Sequence, residues 1–395
     1  MDNLTAKAFS KGESQGITVN AGKKRQLLGN VVVMLIALSV CAVIVESLTR
    51  LIYDDVVLFN RHTETVTYGP FTVRRLERNA TFYHESKDGR WRFDTNAQGY
   101  RDVNDFSYEK SEGEIRVISL GDSHTLGHEI RQDFTYSAFL ERMLRRNGGK
   151  GRVMNTGIAG FGTAEQLIFL KHEGIKYDPD VVVLGFYGND FDDNVRSNIF
   201  RLADGKLHTS NTNYAPGAKA LMFHNSIPPL RWMSENSHFY SLIMNAVWEG
   251  VKGLMLSREK ADLLKEHAVS DNVENIVTAK IDLAKALIVE MYRFCRENGI
   301  KLVIIDIPRF RPNRYEAVTS VPDRLEVFFT ENSDVFRHTS DVLAPYENVV
   351  APFVPNGQRH ISELAHFLYA SNIFQSSVIQ EAIQNKNKYA RISAH

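Results

Sequence analysis

The chain has 395 residues, 47 basic and 47 acidic side chains, and an apolar fraction of 43%. That balance excludes nucleic-acid or polyanion binding driven by net charge, and the apolar content can fill the cores of one or two domains. With only two cysteines, Cys41 and Cys295, a disulfide framework and a cysteine-based zinc site are also excluded.

Residues 1–26 are polar and are expected to form a disordered cytoplasmic tail. Residues 27–45 are apolar apart from Asn30 and Ser39, and about 20 such residues suffice to cross a bilayer. Lys7, Lys11, Lys23, Lys24 and Arg25 precede this run, whereas Glu46, Asp54 and Asp55 follow it. The positive-inside rule then places the N-terminus in the cytoplasm and everything after about residue 50 outside. Segment 27–47 is therefore read as a single-pass signal anchor. A cleaved signal peptide is the rival reading, but no small-x-small site closes the run. A buried soluble helix is the plainer rival. Leu38-Ser39-Val40-Cys41 resembles a lipoprotein box only faintly, because Val40 is bulky.

Residues 52–110 mix aromatics with charges, as in Trp91-Arg92-Phe93, and show no clear period. They read as a membrane-proximal lead-in. Regular patterning starts near residue 114. Strands are expected at 115–120, 153–155, 180–186 and 301–306, with a fifth at 348–353. Helices are expected at 134–146 (stopped by Gly148 and Gly149), 166–173, 274–296 and 362–384. Continuous apolar runs such as 180–186 imply strands buried on both faces. Strands alternating with helices imply a parallel sheet in a three-layer α/β/α sandwich, flavodoxin-like in type, over residues 111–390. Residues 195–273 break the alternation and read as an insertion that covers the site.

In such a sheet, ligands bind beyond the carboxyl ends of the strands, and four segments fall there. Gly121-Asp122-Ser123-His124-Thr125 leaves the first strand directly and exposes a serine hydroxyl, which becomes a nucleophile only beside a base. Asn155-Thr-Gly-Ile-Ala-Gly160-Phe-Gly-Thr163 leaves the second and offers backbone N–H donors for an oxyanion. Gly188-Asn189-Asp190 leaves the third and adds a side-chain amide. His360 precedes the last helix and is a candidate base. Each segment alone reads equally well as a turn. His124 and His128 are rival bases, and their i, i+4 spacing alone does not make a metal site. No G-x-S-x-G elbow, dinucleotide fingerprint or Walker pattern occurs.

Taken in order, these four segments resemble the four blocks of the SGNH (GDSL-like) serine hydrolase family. The stretch Thr95-Asn-Ala-Gln-Gly-Tyr-Arg-Asp102 is similar to the lead-in of membrane-anchored bacterial members. The resemblance is good over about 93–194, thin to 300 and moderate to about 380. It implies Ser123 as nucleophile, His360 as base, and Gly160 and Asn189 as oxyanion donors, with Ser123 N–H as a third. One departure matters. The family carries an Asp two or three residues before its His, whereas this chain has Gln358 and Gly357. A backbone carbonyl, or a carboxylate from elsewhere such as Glu363, is expected to orient His360 instead.

The resemblance implies an extracytoplasmic, membrane-anchored esterase that hydrolyses acyl, most simply acetyl, esters without a metal or organic cofactor. The expected partners are a small ester or an acylated glycan and the membrane, with no nucleic acid. O-acetyl transfer or deacetylation on a cell-surface polysaccharide stays open, and so does a non-catalytic glycan-binding or scaffold role.

Overall fold

The structure is a computed structural model that describes residues 13–53, 55–147, 150–266, 273–310, 317–346, 349, 351–356 and 360–392. The chain divides into two compact units, Met1–Asp54 and Asp55–His395. The first unit holds α1 (Glu13–Ile52), which starts within the segment expected to be disordered. From Gly22 to Ile52 the helix is long and apolar enough to cross a membrane, with a mean hydropathy of 2.7 in its most apolar stretch. A membrane anchor and a signal sequence share this length and composition.

The second unit opens with two antiparallel hairpins, β1 (Thr63–Tyr68) with β2 (Phe71–Leu76) and β3 (Thr81–Ser86) with β4 (Gly89–Asp94). Phe71, Val73, Phe82 and Phe93 are buried. The unassigned 52–110 stretch is thus a pair of ribbons whose apolar residues join the main core. Its strands are six residues each, too short for their alternation to stand out among charged neighbours.

The central sheet follows. β5 (Glu114–Gly121) leads through the one-turn helix α2 (Ser123–Leu126) to α3 (Tyr136–Arg146), then to β6 (Lys150–Asn155). Next come α4 (Thr163–His172), β7 (Val181–Phe186) and α5 (Asp190–Ser197). The expected insertion holds the hairpin β8 (Phe200–Ala203) and β9 (Lys206–Thr209), then α6 (Ala218–Ser226), α7 (Pro228–Asn236) and α8 (His238–Glu266). After α9 (Val273–Glu297) the chain returns through β10 (Lys301–Asp306) and a small pair, β11 (Arg309–Phe310) with β12 (Ala317–Val318). It closes with α10 (Glu326–Glu331), β13 (Val335–Arg337), α11 (Thr339–Leu343), α12 (Glu363–Phe374) and α13 (Ser377–Ile392).

The sheet order is β13-β10-β7-β5-β6, parallel at every pairing. Numbered by their own succession, the strands run 2-1-3-4-5, the flavodoxin-like order, whose switch point lies between β5 and β7. Alternate strand residues face opposite layers. Ile115, Val117, Val181, Val183, Val303 and Ile305 pack with α3, α12 and α13. Ile118, Leu120, Val182, Leu184, Leu302 and Ile304 pack with α4, α9 and the hairpins. Each such side chain contributes about 1.5–3 kcal/mol on burial. The architecture is the three-layer α/β/α sandwich expected.

Two expectations need correction. The fifth strand is Val335–Arg337, not 348–353; residues 348 and 350 lie outside the described residues, and Phe353 forms only an isolated bridge with Ile361. Three half-buried residues at a sheet edge leave no periodic signal to read. The helix expected over 362–384 is two helices, the first ending at Phe374 and the second starting at Ser377. Gly148 and Gly149 lie outside the described residues.

Candidate active site

Ser123 occupies the first position of α2, at the carboxyl end of β5. Asp122 caps that helix, its Oδ1 accepting the His124 N–H at 2.8 Å. The turn depends on close packing at two glycines. A Cβ at Gly121 would overlap the Thr125 side chain, and a Cβ at Gly157 would stand 3.0 Å from Asp122 O and 2.9 Å from the carbonyl carbon of Thr125. Asn155 fastens the two loops together: its Nδ2 donates to Thr125 O at 2.9 Å, and its Oδ1 accepts the Gly157 N–H at 3.1 Å.

His360 comes in from the loop before α12. Its Nε2 lies 2.9 Å from Ser123 Oγ, and its Nδ1 lies 3.1 Å from Glu129 Oε2. With Glu129 ionised, its carboxylate can only accept, which would put the hydrogen on Nδ1 and leave Nε2 to accept the serine proton. The structure therefore brings Ser123 and His360 together, 237 residues apart in sequence, and adds a carboxylate that sequence reasoning missed. Glu363, the candidate orienting group, is engaged elsewhere: its Oε1 accepts from Arg131 Nε at 2.8 Å in an exposed ion pair. Asn356 binds Asp88, and Gly357 and Gln358 lie outside the described residues.

Glu129 is fully buried and has φ +62, a left-handed conformation uncommon outside glycine. Such strain persists only where surrounding contacts over-determine it. Arg101 supplies them. Its guanidinium donates to Leu126 O at 3.0 Å, to Gly127 O and to Ile130 O at 2.9 Å, so it ties down the carbonyls on both sides of Glu129. It also lies 3.6 Å over the Phe93 ring of β4. Burial lowers its pKa to about 9, still cationic at neutral pH. Arg101 belongs to the lead-in stretch that the sequence singled out.

The neighbouring histidines are differently placed. His124 packs 4.3 Å from the Tyr187 ring, His128 lies tilted at 4.6 Å from His84, and His366 accepts the Tyr136 N–H at 3.0 Å. Burial pushes His84 and His366 down to about 3 and holds His124 and His128 well below the usual range. No group of three or more metal-ligating side chains is gathered among the described residues.

Gly160 stands at φ +74 in the loop after β6, its carbonyl held by Arg74 Nη2 at 3.2 Å. Asn189 precedes α5 at the end of β7, and its Nδ2 donates to Asp122 Oδ2 at 3.2 Å. Asp122 thus links the serine turn to the Asn189 loop; burial raises its pKa, while the His124 N–H and Asn189 oppose that rise. Among the described residues, no backbone carbonyl takes the N–H of Ser123 or Gly160 in a turn or loop bond. The four segments expected at this sheet edge all stand there.

No family model matches the chain, and no curated protein matches it in sequence. Solved structures do match. TesA is 15% identical, with a TM-score of 0.35 over 67% of this chain and 99% of its own. The acetyl-xylooligosaccharide esterase Axe2 from Geobacillus stearothermophilus, in a mutant form, is 12% identical, with a TM-score of 0.37 over 66% of this chain and 93% of its own. A putative lipolytic protein of the G-D-S-L family from Desulfitobacterium hafniense is 11% identical, with a TM-score of 0.31 over 65% of this chain and 97% of its own.

Proposed function

We propose that the chain is an extracytoplasmic, membrane-anchored serine esterase of the SGNH type that cleaves acyl, most simply acetyl, esters. The observation that carries this reading is the relay from Ser123 Oγ to His360 Nε2 (2.9 Å) and from His360 Nδ1 to Glu129 Oε2 (3.1 Å). Both contacts lie in the range of a nucleophile and base ready for proton transfer.

In this reading His360 takes the proton of Ser123 Oγ as the oxygen attacks the ester carbonyl. The N–H groups of Ser123 and Gly160 and the second amide hydrogen of Asn189 stabilise the tetrahedral oxyanion. His360 then protonates the leaving alcohol, water attacks the acyl-serine with His360 again as base, and the carboxylic acid departs. Glu129 fixes the imidazole tautomer and stabilises the imidazolium, the role of the acid in a serine triad. Anchorage rests on the apolar length of α1 and the basic flank before it.

The test is turnover of p-nitrophenyl acetate by the full chain in detergent, beside Ser123→Ala and His360→Ala. Both variants are expected to lose about three or more orders of magnitude. Equal rates in all three proteins would refute the esterase reading.

A further inference from the structure

Helix α8 packs Met255 and Leu256 on the core but carries a second apolar face outward. Its buried face carries Ser241, fully buried, whose Oγ accepts the Phe59 N–H at 3.0 Å. Beside it Asn245 donates to Val57 O at 2.6 Å. Phe239, Ile243, Val247, Val251 and Leu254 are all exposed, between 41% and 64%. Spaced mostly four residues apart, these five share one stripe about 22 Å long. A helix on a globular surface turns such a stripe inward. An outward apolar band of this length marks a surface with a partner.

Connectivity identifies that partner. The segment that α8 grips begins at Val57, five residues after the apolar helix ends at Ile52. Five residues reach at most about 18 Å when fully extended. The segment is also clamped, since Phe59 meets the Trp248 ring edge-on at 6.1 Å and Arg61 stacks over both rings. If α1 spans a bilayer, this short strap limits how far the α8 contact at Val57 can stand from the end of α1.

From the stripe and the strap together we infer that α8 lies on that same bilayer, with Phe239, Ile243, Val247, Val251 and Leu254 sunk among the upper acyl chains. Interfacial helices bury such faces about 5–10 Å deep. A catalytic unit docked in this way has a fixed orientation relative to the membrane instead of swinging on a tether. The inference rests on the anchored part of the proposed function and is independent of the esterase chemistry.

The test uses the full chain in vesicles of phosphatidylethanolamine and phosphatidylglycerol, with Cys41→Ser removing the exposed native thiol; Cys295 is buried and its thiol is pushed up to about 12. Nitroxide labels go singly on Val247→Cys, Leu254→Cys, Ile36→Cys in α1, and Glu297→Cys at the exposed end of α9. Collision with oxygen, which partitions into lipid, is compared with collision with a water-soluble nickel chelate. Docking requires labels 247 and 254 to resemble label 36, with oxygen favoured, while label 297 favours nickel. If label 36 favours oxygen but 247 and 254 favour nickel, α1 is inserted and the docking inference is overturned. If 247 and 254 are shielded from both reagents and show spin–spin coupling, a second copy covers the stripe, which also overturns it. If label 36 itself favours nickel, the anchor fails, and the inference fails with it. Ester turnover measured on the same samples reports separately on the esterase reading.

Discussion

Replacing Glu129 by Gln tests the triad at the member that sequence left unassigned. The side chains are nearly isosteric, and at this fully buried position the amide stays within reach of His360 Nδ1. What changes is the charge and the certainty of acceptance. An amide can turn its NH2 toward Nδ1, which forces the hydrogen onto Nε2 and leaves nothing to accept the Ser123 proton. It also removes the only carboxylate within hydrogen-bond distance of the imidazolium among the described residues. In serine proteases, the corresponding Asp to Asn change lowers turnover about 10⁴-fold, or about 5 kcal/mol at 1.36 kcal/mol per decade. Here the contact is 3.1 Å and the wild-type residue is strained at φ +62. A fall in kcat of about 10³-fold to 10⁴-fold is therefore expected, with KM changing little. Stopped-flow turnover of p-nitrophenyl acetate measures it, with near-ultraviolet circular dichroism confirming the fold. Glu363→Gln serves as the control and is expected to stay within about threefold of wild type, because an exposed ion pair contributes about 1 kcal/mol or less. If Glu129→Gln matched wild type while Glu363→Gln fell by orders of magnitude, the orientation argument would be refuted.

Arg101→Ala should leave the carbonyls of Leu126, Gly127 and Ile130 without their donor; the expected cost is roughly 3 kcal/mol or more in urea unfolding, with turnover reduced further than stability alone explains. Gly157→Ala places a methyl against the backbone of α2 and should lower kcat at least about tenfold, since small displacements of reacting groups are that costly; an unchanged kcat would show that the two loops are not in rigid contact. Glu165 has its pKa raised to about 8, chiefly by burial and also by Asp193, so the folded state holds a proton that the unfolded chain releases near 4.5. Stability should therefore fall as pH rises from about 4.5 to 8. Glu165→Gln should flatten that slope and raise the melting temperature at pH 8; a steeper slope in the variant would contradict the sign.

Much of this protein is legible one residue at a time. The runs at 115–120, 180–186 and 301–306 are apolar because both faces of a central parallel strand are covered, so their burial is written into composition. Chain order then places Ser123, Gly160 and Asn189 at one sheet edge, because each follows a strand of the same sheet. Harder to read are the short ribbons over 63–94 and the edge strand at 335–337, where a few residues pair through the backbone and leave only a weak side-chain pattern.

The orienting acid shows the limit most clearly. Glu129 lies six residues past Ser123 but 231 residues before the His360 it faces, and no local spacing encodes that distance. It reaches His360 only because a left-handed turn, held by Arg101 just after the second hairpin, aims its carboxylate inward. The same holds for α8, whose apolar spacing would suit a buried stripe equally well. Which face of a periodic helix turns inward is decided by what else must be satisfied, here Ser241 and Asn245 against the backbone of 57–59. Sequence thus indicated four of the five sheet strands and which loops share one sheet edge, because these follow from burial and chain order. Tertiary structure alone decided the carboxylate and the outward stripe, because both depend on contacts between segments that no pattern along the chain relates.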